Sequence, residues 1–230
     1  MKIEIWSDVM CPFCYIGKRK FEAALEKFNQ KNQLEIVWKS FQLNPEMEYT
    51  EGDTLNKYLA RHKGWTEEYA RSANQHVTSM AKESGLEFNL EKAIPANTLK
   101  AHRLIHLAAK SGLQDNAEET LFSAYFTEGK NVGDTDTLIA LGKKIGLGDS
   151  ELKDLFEGNK YVNDVEADIL EAQQIGVRGV PFFVIDRKYA ISGAQPSEVF
   201  LQAMEKAFTD SEIPSATEPN GESCDVEEQC

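Results

Sequence analysis

The sequence predicts an α/β fold in which a small strand-and-helix domain is split by a long all-helical insertion. Three observations predict it: a strand pattern begins at residue 2, strand-like apolar runs return only after residue 180, and between residues 50 and 176 every periodic segment is helical. At 230 residues, 41% apolar and 27% charged, the chain is long enough for one large domain or two that share a core.

Residues 2–9 alternate, with Ile3 and Ile5 on one face, and read as the first strand. A helix is expected over 12–28. Phe21, Ala24, Leu25 and Phe28 keep the i, i+3, i+4, i+7 spacing, Lys18, Lys20, Glu22 and Lys27 are placed towards water, and Pro12 suits the first turn, where its missing N–H is not needed. Residues 34–43, rich in Ile, Val, Trp and Phe, form a second strand that Asn44-Pro45 ends.

Helical segments then follow one another, punctuated by glycines and Pro95. Asn97 or Thr98 can cap a helix over 99–110, and Asp134 or Thr135 one over 138–145. Phe122, Tyr125 and Phe126, like Leu152, Leu155 and Phe156, read as helical core, and Trp65 and Tyr69 are read the same way. His102 and His106 are four apart on one helix, a spacing open to a metal. With no carboxylate at the next helical step, they read as ordinary packing. The continuous apolar run 181–185 is a strand of the kind buried on both faces, 189–192 is another, and a last helix covers 196–208. The division expected is therefore residues 1–49 and 177–208 as one discontinuous domain, 50–176 as the helical insertion, and 209–230 as an acidic tail of disordered composition.

The formal charge is −13, from 25 basic and 38 acidic residues. Seven of those carboxylates fall in the last 22 residues, which carry no Lys or Arg. This balance argues against nucleic acid and anionic membranes as partners. A charged second residue and the lack of a long apolar run lead us to expect a cytoplasmic protein.

Four cysteines are too few for a disulfide-stapled scaffold, and they form two close pairs: Cys11 with Cys14, and Cys224 with Cys230. Two cysteines three apart at a helix start can reach disulfide geometry. The orphan N–H groups and the positive end of the helix dipole favour a thiolate on the first. Cys11 is then the nucleophile and Cys14 the resolving thiol. Half of a zinc site, or two packed cysteines, are the competing readings. The position between an apolar strand and a long amphipathic helix favours redox chemistry over both. Downstream, Gly176-Val177-Arg178-Gly179-Val180-Pro181 puts a proline at the start of an apolar strand. A trans proline at a first strand residue has the better base rate, but the cysteine pair and the order of elements favour a cis Val180-Pro181 bond.

Strand, Cys-Pro-x-Cys, helix, strand, helical insertion, Val-Pro, strand and closing helix together resemble the thioredoxin superfamily and its DsbA branch. Trp6-Ser7-Asp8-Val9-Met10-Cys11-Pro12-Phe13-Cys14-Tyr15-Ile16-Gly17, Asn97-Thr98 with Ala101-His102-Arg103, Tyr125-Phe126-Thr127-Glu128-Gly129, the 176–183 segment and Ser192-Gly193-Ala194-Gln195 are similar to FrnE-like DsbA oxidoreductases. The resemblance implies a thioredoxin-like fold and a thiol–disulfide oxidoreductase. In it Cys11 attacks, Cys14 resolves, Pro181 lies in cis beside them, and Val180, Pro12 and Phe13 meet the substrate. It also implies substrates that are thiol- or disulfide-bearing proteins, or small thiols such as glutathione. Thiolate attack, mixed disulfide and resolution require no bound cofactor or metal.

Phe13 stands where exported DsbA proteins would have histidine, which implies a weaker oxidant. Cys224 and Cys230 resemble an additional C-terminal pair of some FrnE-like proteins and are candidates for auxiliary redox exchange. The alternatives are a relative of glutathione-dependent isomerases and kappa-type transferases, which generally have serine where Cys11 stands, and a zinc-stabilised or holdase-like binding protein.

Overall fold

A computed structural model describes residues 1–50 and 52–212. Four strands, β1 (Lys2–Ser7), β2 (Glu35–Ser40), β3 (Phe182–Ile185) and β4 (Tyr189–Ser192), form one sheet in the order β2-β1-β3-β4. β1 runs parallel to β2, while β3 is antiparallel to both of its neighbours. Between β1 and β2 lies α1 (Pro12–Lys27), and after β4 comes α9 (Ser197–Glu212). The intervening helices are α2 (Leu55–Lys63), α3 (Glu67–Glu83), α4 (Leu99–Lys110), α5 (Gln114–Phe122), α6 (Thr135–Lys144), α7 (Asp149–Glu157) and α8 (Val162–Gln174). A π-helical turn, Ser123–Thr127, extends α5.

The register places Ile5 opposite Phe183, Ile3 opposite Ile185, and Phe183 opposite Ile191, so these side chains share one sheet face. α1 and α9 cover that face, where Phe21, Phe183 and Phe200 pack with centroids 4.6–5.7 Å apart. The opposite face presents Trp6 and Val184, which pack with Ala172 of α8 and with Val177. The indole N–H of Trp6 donates to the Asp168 carbonyl at 2.9 Å. The Asp168 carboxylate accepts from Lys39 Nζ at 2.7 Å and from the Ser40 amide at 2.9 Å. α8 belongs to the 50–176 stretch by sequence, yet its packing makes it the second cover of the sheet.

α2 to α7 form the helical body, which is joined to the sheet by one continuous core. Tyr15 of α1 stacks on Phe122 at 4.9 Å, and Phe88 on Phe126 at 4.7 Å. Two expectations about α1 and α3 need correction. Lys18, expected towards water, is buried and pairs with Glu22, Asp115 and Glu119. Trp65 and Tyr69, expected in the core, are exposed and meet edge to face at 4.9 Å. Asp134 caps α6 by accepting from the Thr137 amide at 2.8 Å. At α4 the N-cap residue is Thr98, whose side chain makes no cap bond; the Oδ1 of the preceding Asn97 accepts from the Leu99 amide at 3.0 Å instead. Arg103, buried, donates to the Leu155, Gly158 and Lys160 carbonyls around the end of α7. No helix among the described residues is long and apolar enough to cross a membrane.

Candidate active site

Cys11 is the N-cap residue of α1, extended at φ −87° and ψ 110°, and Pro12 opens the helix. The Cys11 amide donates to the Asp8 carbonyl at 2.9 Å, and the Cys14 amide donates to the Cys11 carbonyl at 3.0 Å. Both cysteines are free thiols beneath the surface. The Cys11 thiol donates to the Val180 carbonyl at 3.4 Å. The Val180-Pro181 peptide bond is cis. Residues 169 positions apart in sequence thus meet at the helix start, where unpaired N–H groups and the dipole favour an anion.

Gly17, one turn beyond Cys14, allows this approach. A Cβ there would lie 3.0 Å from Pro181 Cγ and 3.5 Å from Ala194 Cβ. Gly17→Leu is therefore expected to push Pro181 and the Val180 carbonyl off Cys11, lowering turnover by about tenfold or more. Turnover of a model disulfide checks this, with circular dichroism confirming the fold; an unchanged rate contradicts it.

The two thiols differ in surroundings. Burial pushes the Cys14 thiol well above its ordinary value, and the hydrogen bond and charge of Cys11 push it the same way. The Asp8 amide and the Ser7 hydroxyl pull it back. Cys14 therefore rests as a thiol. Phe13 is exposed, and a cavity of about 160 Å³ opens beside Met10 and Pro12, walled by Leu43, Tyr58, Leu59 and Phe126.

Below this site the sheet meets the helical body through buried polar and charged groups, of which sequence reading weighs His102 and His106 and passes over Glu118 and Glu119. Asp8, buried, accepts from the Leu43 amide at 2.7 Å. His102 is also buried, with Nε2 3.4 Å from Asp8 Oδ1. His106, one turn on, faces Ser40 Oγ and Asp168 Oδ2, each at 3.1 Å. The two histidines thus have different partners, and no group of three metal-ligating side chains is found among the described residues. Burial pushes the Glu118 carboxyl up to about 8, with the Asp115 charge adding to it and Lys18 opposing it. Glu119 goes the other way. Against the upward push of its burial, hydrogen bonds from Arg19 and Tyr15 and the charge of Lys18 hold it down at about 2. Cys224 and Cys230 lie outside the described residues.

Residues 2–205 match the family of the DSBA-like thioredoxin domain. The chain belongs to that family. It is 33% identical to a probable DsbA oxidoreductase from Streptomyces coelicolor, whose crystal structure covers 99% of this chain and 100% of its own with a TM-score of 0.86. The uncharacterized protein YwbO of Bacillus subtilis strain 168 is 29% identical over 211 residues, 90% of this chain and 96% of its own. The cytosolic disulfide reductase DsbM of Pseudomonas aeruginosa, solved with GSH, shares the fold at 16% identity and a TM-score of 0.64 over 91% of this chain and 100% of its own. The thioredoxin-like fold with its helical body is therefore that of the DsbA-like proteins.

Proposed function

We propose that the protein is a thiol–disulfide oxidoreductase in which Cys11 attacks, a mixed disulfide forms, and Cys14 resolves it. The observation that carries this reading is the asymmetric pair at the start of α1. Cys11 caps the helix under the Val180 carbonyl, while Cys14 is held as a thiol one turn inside. Val180, cis-Pro181, Pro12 and Phe13 frame the reacting sulfur and meet the substrate. Substrates are thiol- or disulfide-bearing polypeptides or small thiols, with glutathione, the ligand of the DsbM structure, among them. The setting we propose is the cytoplasm.

Equilibration in glutathione redox buffers with disulfide mapping tests this. Cys11–Cys14 should interconvert reversibly, with a midpoint well below the roughly −120 mV of DsbA, because a phenyl ring at position 13 offers the Cys11 thiolate no charge. A pair that never oxidises sinks the oxidoreductase reading, and a midpoint near −120 mV sinks the role given to Phe13. Activity that depends on glutathione but survives loss of Cys14 would favour the isomerase and transferase relatives.

Cys224 and Cys230 are proposed as an auxiliary pair that exchanges with Cys11–Cys14. Phe208 packs against Phe28, so α9 ends beside the far end of α1, about 24 Å from Cys11 at 1.5 Å per residue. The 12 residues 213–224 reach at most ~40 Å when extended, enough to return. Serine at both positions should change the rate at which an external thiol reduces the Cys11–Cys14 disulfide, and an identical rate removes the auxiliary role.

A further inference from the structure

Three successive cations on α1 turn to different partners. Lys18 pairs with Glu22, Asp115 and Glu119, and Arg19 pairs with Glu22 and Glu119. Lys20, half-buried, instead donates from Nζ to the main-chain carbonyl of Ala194 at 3.0 Å. Ala194 is 174 positions away, in the turn that follows β4. A bond from an ammonium to a carbonyl is charge-assisted, and this one grips the main chain of the turn rather than a mobile side chain.

That turn is the neighbour of the cis bond. The Gly193 amide donates to the Pro181 carbonyl at 2.8 Å, one step beyond the last β3–β4 pair, Phe182 with Ser192. Gly193 has φ 79°, a conformation that favours glycine. The turn also closes on itself, since the Gln195 amide donates to the Gly193 carbonyl at 3.0 Å and the Gln195 side chain to the Ser192 carbonyl at 2.8 Å. It therefore shifts as one piece. Its Ala194 lies over Gly17 of α1, beside the Pro181 ring, and Lys20 is one turn further along that face.

The links form a closed circuit. From Cys11 they run to the Val180 carbonyl, through Pro181 to the Gly193 amide, and from the Ala194 carbonyl to Lys20 on the same helix. We propose that Lys20 is a positioning residue for attack on polypeptide disulfides: it pins the 193–195 turn to α1 and so fixes Val180 and Pro181 against Cys11. This inference rests on the thiol–disulfide reading above. An extended polypeptide lies along the Val180-Pro181 main chain, so its sulfur is only as well aligned with Cys11 as that main chain is. A small disulfide has no main chain to align and reaches Cys11 without this help. Gly17→Leu would force the turn outwards, whereas loss of the Lys20 ammonium only frees it to move.

The test uses two disulfides that release the same coloured 2-nitro-5-thiobenzoate. One is 5,5′-dithiobis(2-nitrobenzoate), and the other is an extended peptide whose cysteine carries that group. With reduced full-length protein, the Cys11 thiolate forms a bond to the attacked sulfur, and nitrothiobenzoate, the better leaving group, departs with the electron pair of the broken S–S bond. In Lys20→Met the maximal rate of release from the peptide should fall about tenfold at an unchanged half-saturating concentration, while release from the small disulfide stays within about twofold of wild type. Lys20→Arg, which can still donate to the Ala194 carbonyl, should keep the peptide rate within about threefold. Equal slowing with both disulfides, an unchanged peptide rate in Lys20→Met, or an arginine variant as slow as the methionine one overturns the proposal. Absence of release from both disulfides in the wild type overturns the oxidoreductase reading instead, and hydrogen exchange then judges the pin by itself. Exchange of the Gly193 amide, read by NMR, should quicken about tenfold in Lys20→Met while the amides of β1 keep their rates. An unchanged Gly193 rate overturns the proposal whether or not the protein turns over.

Discussion

Cys11→Ser is expected to lower disulfide exchange by about a thousandfold or more, because the step that begins the reaction is lost outright. A serine hydroxyl does not ionise near neutral pH, so the N–H groups at the start of α1 would have no anion to stabilise. The bond to the Val180 carbonyl could survive as O–H···O, leaving the fold intact. Cys14→Ser differs in kind. Cys11 keeps its cap position and attacks, but no second sulfur lies one turn inside to displace the substrate, so the mixed disulfide accumulates. Intact-mass measurement under non-reducing conditions reads both results: an adduct in good yield for Cys14→Ser, and none for Cys11→Ser. An adduct on Cys14 in the Cys11→Ser protein would reverse the assigned roles. The burial that holds Cys14 as a thiol argues against that outcome.

The frame was legible where periodicity was strong. The alternation of Ile3 and Ile5, the apolar run ending at Ile185 and the spacing from Phe21 to Phe28 each locate an element to within a few residues, since each pattern is a direct image of one buried face. The fate of a face was less legible. Residues 162–174 fall in the stretch read as helical, but nothing local says that Ala172 packs with Trp6 and that the Asp168 carbonyl takes its indole N–H. Lys18 misled for a related reason: its carboxylate partners Asp115 and Glu119 lie about a hundred residues away on α5. At the site, Cys11, Cys14 and the Val180-Pro181 bond stood out because their spacing is chemically loaded. His102 was weighed for its spacing from His106 and read as packing, Asp8 entered only inside a motif stretch, and Glu118 did not enter at all, because an acid or an imidazole acquires its meaning only when folding buries it without enough partners.

Glu118 makes that cost measurable. Unfolded, its carboxyl ionises near 4.5, whereas burial in the fold keeps it protonated up to about 8. Between those values the native state binds a proton that the unfolded chain releases, so stability falls as pH rises through this window and is fully present only below it. At pH 7 the penalty is on the order of 3 kcal/mol, from the distance between pH 7 and the unfolded value at about 1.4 kcal/mol per unit. Glu118→Gln keeps the shape of the protonated carboxyl and cannot ionise. It is expected to raise the melting temperature at pH 7 by about 5–10 °C in a chain of this size. The advantage should shrink to nothing near pH 4, where the wild-type carboxyl is protonated in both states. Melting curves from pH 4 to pH 8 decide the matter. A difference between the two proteins that does not change with pH would mean that Glu118 is ionised in the fold, and that Lys18 compensates its charge more fully than the surrounding burial indicates.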